Sequence, residues 1–512
     1  MGDFEREACL RLPLAEASLR LLDFVTQDEF LAELFRQHRG ASYEKVIGFP
    51  LFVHLIADAL LEHDGSGHQS FSRARAEGTL ATSLKAMYGK LARVPLSLST
   101  GLLVAGSQRL REVFPPQGTA AVPHSLRRLA ILPLDGKKVK YVAKRLKALR
   151  KVKGQVLGGK LLVVQEFRTG LAVALHADPD GEASETPLVP EALRQARAAV
   201  PGPRLWVADR AFCDLTQPPL LGADGDHWLL RYNAKVRFHP DPSRPIRHGT
   251  DARGREYHEE WGWLGQPTDQ RRQYVRRITL RRPGDEAVIL VTDLLDADQY
   301  PATDLLAVYL ERWGIERMFQ RVTEVFHLRT LIGSTPEATV FQAAFCFLLY
   351  NVVVVLRAYI GQAEGRAPET ISSELLFEDV QRQLVAWSEV IGPAATLELL
   401  ARPLRPEQVR RRLEKLLGSV WTDRWQKAPP KKETKHPHKQ YLKGGHTSVY
   451  RLLQAARKKN RSRQRPGRPT NDVQSSGLTP RRSPTTGPLR PHRPRNRRTS
   501  LTPSCKFFTS MR

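Results

Sequence analysis

Tyr309, Arg312 and Glu316 stand within the run Tyr-Leu-Glu-Arg-Trp-Gly-Ile-Glu, a spacing that suits phosphoryl transfer. At about 100° per helical residue, Tyr309 and Arg312 fall within roughly 60° of each other and bracket Glu316. One helix face then offers a phenol, a guanidinium and a carboxylate. Arginine grips phosphate oxygens bidentately, tyrosine adds a hydroxyl donor, and a carboxylate can complete a Mg²⁺ site that already holds two other acids. Taken alone, an Arg and a Glu four apart are also what a solvated helix face with a modest ion pair presents.

Two upstream aspartates change the balance. The apolar run Leu129-Ala130-Ile131-Leu132-Pro133-Leu134 ends in Asp135-Gly136, and Arg204-Leu205-Trp206-Val207-Ala208 ends in Asp209-Arg210-Ala211-Phe212. Short apolar runs that stop abruptly at a polar residue predict buried strands, and in open sheets ligands collect at the carboxyl ends of strands. Each aspartate singly is also an ordinary turn former or helix cap.

The strand-Asp-Gly, the strand-Ala-Asp-Arg-x-Phe and the Tyr-x2-Arg-x3-Glu helix together resemble the transposases of insertion-sequence family 4, over roughly residues 80 to 360. The resemblance implies an RNase H-like core with an Asp-Asp-Glu triad. It matches Asp135 and Asp209 to the two metal-binding aspartates, Glu316 to the glutamate, and Tyr309 and Arg312 to the phosphate-contacting pair, with Arg210 beside them as a further DNA contact. It also implies two Mg²⁺ ions, or Mn²⁺ in their place, and double-stranded DNA as partner, both the terminal inverted repeats of an element and its target. A homodimer in the DNA complex is implied as well. The family helix usually continues with a lysine seven residues after the glutamate, where this chain has Thr323; Gln320 and His327 lie on nearly the same face.

The chain between the aspartates fits such a core on physical grounds. Residues 158–167 and 171–175, joined by Arg168-Thr169-Gly170, predict a hairpin, and Ser184-Glu185-Thr186-Pro187 opens a helix to Ala199. The order is β-β-β-α-β. A run of basic residues from Lys137 to Lys153 follows Asp135 and reads either as a solvated loop or as a track for a nucleic-acid backbone. About a hundred residues separate Asp209 from Glu316, too many for a simple connection. Strand-like runs at 228–232, 273–280 and 288–292 predict a mostly β insertion there. Trp228, Trp261 and Trp263 in that insertion are either core residues or platforms for an unpaired base; Trp261 and Trp263 share one face of a strand and are the better DNA-binding candidates.

The expected fold is therefore α/β: a mixed sheet flanked by helices, with the catalytic core at 116–213 and 303–360 and a β-rich insertion domain at 214–302. A helical region at 1–115, for which the resemblance implies DNA binding, contains the amphipathic runs Glu29–Gln37, Tyr43–Glu62, Leu80–Leu91 and Ser99–Val113; a helical region follows at 361–455 and a basic disordered tail at 456–512. At 512 residues and 41% hydrophobic content the chain can bury more than one core. Its net charge of +27 favours a polyanionic partner. Residues 457–512 hold sixteen Lys/Arg against the single acid Asp472, and the remainder is still basic at about +12.

Cys9, Cys213, Cys346 and Cys505 are dispersed without metal-like pairing, which predicts reduced thiols and a cytoplasmic, nucleoid-associated protein. No secretory pattern opens the sequence, and the apolar stretch Val340–Leu356, interrupted by Gln342 and Asn351, predicts a buried helix behind Glu316 and no membrane partner. The expected activity is metal-dependent cleavage at insertion-sequence ends followed by strand transfer. The alternatives are an RNase H-like nuclease without strand transfer and a catalytically silent DNA-binding protein derived from a transposase.

Overall fold

The computed structural model describes residues 3–463 apart from 43, 45, 64, 117–120, 141, 283, 327, 329–331, 402 and 428–445. The chain opens with helices α1 (Asp3–Arg11), α2 (Pro13–Thr26), α3 (Asp28–His38), α4 (Phe49–Leu61), α5 (Gly67–Ala76), α6 (Leu84–Leu91) and α7 (Leu96–Glu112). Pro50 places the start of α4 at Phe49, because proline is tolerated only in a helix's first turn. The expected helical run from Tyr43 is shorter for that reason; Tyr43 itself lies outside the described residues.

The sheet begins with β1 (Ala130–Lys138), the short β2 (Val156–Leu157), β3 (Lys160–Gln165) and β4 (Ala172–Asp178). After α8 (Val189–Ala199) come β5 (Arg204–Ala208), α9 (Gln217–Leu221), β6 (His227–Arg231), β7 (Phe238–Pro240), β8 (Arg247–Thr250), β9 (Glu256–Leu264), β10 (Gln273–Leu280) and β11 (Val288–Thr292). The spatial order is β4-β3-β1-β5-β6-β11-β10-β9-β7, with β8 on the same edge of β9, ten strands in one sheet. β5 lies parallel to both β1 and β6, and the remaining pairs are antiparallel.

The segment 214–302 is thus not a sheet of its own. Its strand β6 pairs with β5, and β11 to β7 extend the same hydrogen-bonded array outward. A separate insertion domain starting at 214 is corrected to a continuation of the core sheet.

Helices α10 (Ala302–Glu311), α11 (Trp313–Glu324), α12 (Pro336–Ala363), α13 (Ser373–Val390), α14 (Gly392–Leu400) and α15 (Pro406–Leu417) follow. A two-residue strand β12 (Thr447–Ser448) pairs with β2 and leads into α16 (Val449–Arg463). The tail expected to be disordered from 456 is therefore helical to Arg463, and residues 464–512 lie outside the described residues.

Alternation along the strands divides the core in two. Ile131, Leu205, Val207 and Leu229 face Leu305, Leu306, Val308 and Tyr309 of α10, whereas Leu132, Leu134, Trp206, Ala208 and Leu230 face the opposite side, toward a core shared with α7, α8 and α12. Helix α12 is apolar and long enough to cross a bilayer, yet it is enclosed by protein. Its polar interruptions are satisfied: Asn351 accepts from the Ala172 amide and donates to Ser107 Oγ and the Ala172 carbonyl, each at 2.9 Å, and Gln342 Oε1 accepts from the Ile332 amide at 2.7 Å. Unpaired, each buried amide would cost about 1–3 kcal/mol. The N-terminal helices are not set apart either: α7 packs on α12 and β4, α2 on α13 and α15, and Arg412 of α15 forks onto the Glu16 carboxylate of α2 at 2.7 and 2.6 Å.

Candidate active site

Pro133 marks a seam in β1. Residues 130–133 pair with β5, and residues 134–138 pair with β3, so the amide that proline lacks falls where one ladder hands over to the other. The β1–β5 register ends at Pro133↔Val207; the same offset carried forward sets Asp135 opposite Asp209 at the carboxyl ends of neighbouring parallel strands. By alternation with Ile131, Leu205 and Val207, both aspartates belong to the face covered by α10.

Helix α10 delivers the other groups. The expected single helix is interrupted: α10 ends at Glu311, α11 begins at Trp313, and Arg312 joins them in αR conformation, its amide bonded to the Tyr309 carbonyl at 3.1 Å. Arg312, 4% exposed, reaches Asp135 Oδ2 at 3.4 Å and Glu316 Oε1 at 3.2 Å. Burial opposes its charge, but Tyr309, Asp135, Glu316 and Asp209 together hold its pKa above the usual arginine value. Asp135 moves the other way. Burial raises its carboxyl to about 6 against the pull of Arg312 and the Gly136 amide, with Asp209 and Glu185 adding repulsion. Asp209 Oδ1 also accepts the Ala211 amide at 2.6 Å and caps the turn Arg210–Phe212, so a structural role accompanies the proposed one.

The donor set is three carboxylates, the hard oxygen chemistry that suits Mg²⁺ or Mn²⁺. They are not a preformed cage: one oxygen from each does not fall within 4.8 Å of the others, and the Arg312 guanidinium bridges Asp135 to Glu316. The Tyr309 hydroxyl and Arg312 Nε are buried without hydrogen-bond partners, two donors of the kind that bind phosphate oxygens.

Gly136 leaves room for the end of a neighbouring side chain. A Cβ there would overlap the Glu185 carboxylate, which pairs with Lys160 at 2.6 Å. Two neighbours of the acids were not singled out from the sequence. Lys137, next on the Asp135 face of β1, has its ammonium 5.4 Å from the Phe319 ring of α11; alternation from Asp135 is the signal that distinguishes it within the basic run. Trp313, at the helix junction, is 55% exposed.

Other expected groups separate. Trp261 is buried, donates its indole N–H to the Leu295 carbonyl at 2.9 Å and packs in the sheet. Trp263 is 38% exposed, edge-on to Tyr274 at 5.1 Å with Arg272 over its ring at 4.3 Å. Trp228 is buried. Arg210 is half-exposed and pairs with Glu286 at 3.5 Å. Thr323 donates its hydroxyl to the Phe319 carbonyl at 2.7 Å, Gln320 donates to Glu324 at 3.0 Å, and His327 lies outside the described residues. Within the basic run, Lys144 donates to the Val152 and Gly154 carbonyls and Arg145 to that of Ile332. Cys9, Cys213 and Cys346 are buried and form no disulfide among the described residues, and Cys505 lies outside them.

Residues 130–352 match the family described as transposase DDE domain. The match runs from the start of β1 into α12, spans all three acids, and supports a DDE transposase. A comparison with curated proteins gives no match. Among solved structures, the chain is similar to one described as the cryo-EM structure of piggyBac transposase synaptic complex with hairpin DNA, with 12% identity, a TM-score of 0.37, and coverage of 80% of this chain and 87% of that one.

Proposed function

We propose that the chain is a metal-dependent DNA transposase that cleaves a strand at the end of an insertion sequence and joins the freed 3′-end to target DNA, through an RNase H-like core of the insertion-sequence family 4 kind. The observation that carries this reading is the register placing Asp135 beside Asp209, with Glu316 tied to Asp135 through Arg312, inside the matched segment. Asp135, Asp209 and Glu316 would hold two Mg²⁺ or Mn²⁺ ions. Bound there, such ions supply a water or 3′-hydroxyl nucleophile of lowered pKa and charge for the leaving oxygen.

The chain's own groups do the rest. Arg312 balances the acids' mutual repulsion, and its partnerless Nε together with the Tyr309 hydroxyl offers donors to the scissile phosphate. Trp263 and Trp313 supply exposed rings for a base displaced from the duplex.

The test uses an oligonucleotide duplex carrying the inverted repeats that flank the reading frame. Asp209→Asn is expected to abolish strand cleavage while keeping DNA binding; cleavage by that variant at the parent rate would overturn the assignment. Pre-cut ends supplied with target DNA distinguish strand transfer from plain hydrolysis. A second reading, a silent DNA-binding descendant, draws on Thr323, whose hydroxyl is turned back onto its own helix and leaves no cation at that position. It predicts DNA binding with no metal-stimulated cleavage.

A further inference from the structure

A buried ion pair lies beside the end of β1, on the face of the sheet opposite the Asp135 carboxylate. Lys160 opens β3 and is 4% exposed, and its ammonium meets the Glu185 carboxylate at 2.6 Å. Glu185 stands just before the turn Thr186–Leu188 that leads into α8, and its carbonyl accepts the Leu188 amide at 3.0 Å. Its backbone is therefore held by the helix that packs on β3 and β4. A buried pair costs desolvation that apolar side chains in the same space avoid; what it can supply instead is a fixed geometry.

Gly136 is what that geometry fixes. In the β1–β3 ladder Gly136 sits opposite Leu162 and Lys138 opposite Lys160, so the open side of Gly136 and the Lys160 side chain share one face, the one turned toward α8. The Glu185 carboxylate fills the space that a Cβ at Gly136 would take and rests against the Gly136 backbone. The Gly136 amide in turn donates to Asp135 Oδ1 at 2.8 Å, while Oδ2 faces Arg312 at 3.4 Å. The contacts run in one line from Lys160 to Glu185, from Glu185 to the Gly136 backbone, and from the Gly136 amide to the Asp135 carboxylate. A tilt of that peptide would turn the Asp135 oxygens, and Glu185 stands in the way of the tilt.

We propose that Glu185, anchored by Lys160, is a positioning residue for Asp135: it braces the Gly136 backbone from the α8 face and so holds the Asp135 carboxylate in the orientation in which it would meet a divalent cation. This role rests on the metal-holding reading of Asp135 and adds to it two residues outside the three acids. Removing an outer partner of a metal-holding side chain typically changes metal affinity or activity about 10- to 100-fold.

The test is titration of the full chain with Mn²⁺ in the absence of DNA, the free ion read by electron paramagnetic resonance at a temperature well below the thermal melts. Glu185→Ala and Lys160→Met are each expected to weaken Mn²⁺ binding about 10-fold, and the double substitution no further than the weaker single, because both act through one contact. Gly136→Ala alters no charge and displaces only the end of a side chain, and it is expected to weaken binding by a similar factor. In single-turnover cleavage the same variants should need about 10-fold more Mn²⁺ for half-maximal rate and recover most of the parent rate at saturation, a split that loss of stability alone does not produce. Parent-like Mn²⁺ affinity in folded Glu185→Ala, or in Gly136→Ala where the ion-pair variants do not fold, would overturn the positioning role. Asp209→Asn separates the two readings. If it lowers Mn²⁺ affinity while the other variants bind as the parent does, only the positioning role fails; if it too binds as the parent does, the metal-holding reading fails as well.

Discussion

Two acid clusters in this molecule look alike by composition and differ in how they are built. Asp58, Glu62 and His63 lie at the end of one helix and bring their ligand atoms within 4.8 Å of one another. Yet they are bound up among themselves and α5: His63 faces Asp58 at 3.5 Å and Arg73 reaches Glu62 at 3.3 Å. Asp135, Asp209 and Glu316 come from three remote stretches, are less tightly gathered, and keep partnerless donors beside them in Tyr309 and Arg312. Proximity alone identifies a cluster whose charges already face one another and Arg73. Convergence of distant segments on one face of the sheet is the better mark of a site, because the packing of a single helix end does not bring such groups together.

The contrast is sharpest under substitution. Asp209→Asn or Glu316→Gln is expected to lower strand cleavage on the order of 10³-fold or more with little change in melting temperature. Asp58→Asn should do the reverse, leaving cleavage near the parent and costing about 2–4 kcal/mol of stability. Gel-based cleavage and thermal melts on the same preparations read both, and a swap of the two phenotypes would dissolve the distinction.

Arg312→Lys keeps the charge between the carboxylates but loses the planar fork, and a drop of about 10²-fold in single-turnover cleavage is expected. Parent-like turnover would mean that Arg312 serves only as a counter-ion.

The helical cluster should betray itself in pH. Burial, then Asp58, raises the Glu62 carboxyl to about 7 against the pull of Arg73. Between its ordinary value and about 7 the folded state holds a proton that the unfolded chain has released, so stability falls as pH rises through that window. Glu62→Gln removes this pH dependence. The variant's melting temperature should overtake the parent's from about pH 5 to pH 8, by the equivalent of about 1–3 kcal/mol, and parallel curves would rule the effect out.

The smallest effect expected is Thr323→Lys, a few-fold rise in cleavage at subsaturating DNA. Lys137 already places an ammonium over Phe319, on the helix that carries Thr323, and no gain at any DNA concentration would indicate that it fills the position fully.

The pieces around the acids were legible because each obeys a local rule. The two apolar runs stop at their aspartates, and the hairpin, the helix to Ala199 and the long apolar helix follow period and turn chemistry. What was not legible depends on distant partners. Nothing within 227–231 says that this strand pairs with β5, so the boundary drawn at 214 cut through a continuous sheet. The break at Arg312 has no proline to announce it; the buried guanidinium's reach to Asp135 is visible only once β1 is in place. Trp261 and Trp263 are equivalent by strand period, and nothing in the local sequence separates the ring buried beside the Leu295 carbonyl from the one that is 38% exposed.

Helix α12 bears on how the polypeptide comes to be made. It touches α2 and α7 from the start of the chain and α13 and α15 near its end, so its apolar surface has no complete cover until residue 417 has been synthesised. A nascent chain leaving the ribosome therefore carries its N-terminal helices half-clad through most of translation. Premature termination before α15 is expected to yield a product that aggregates.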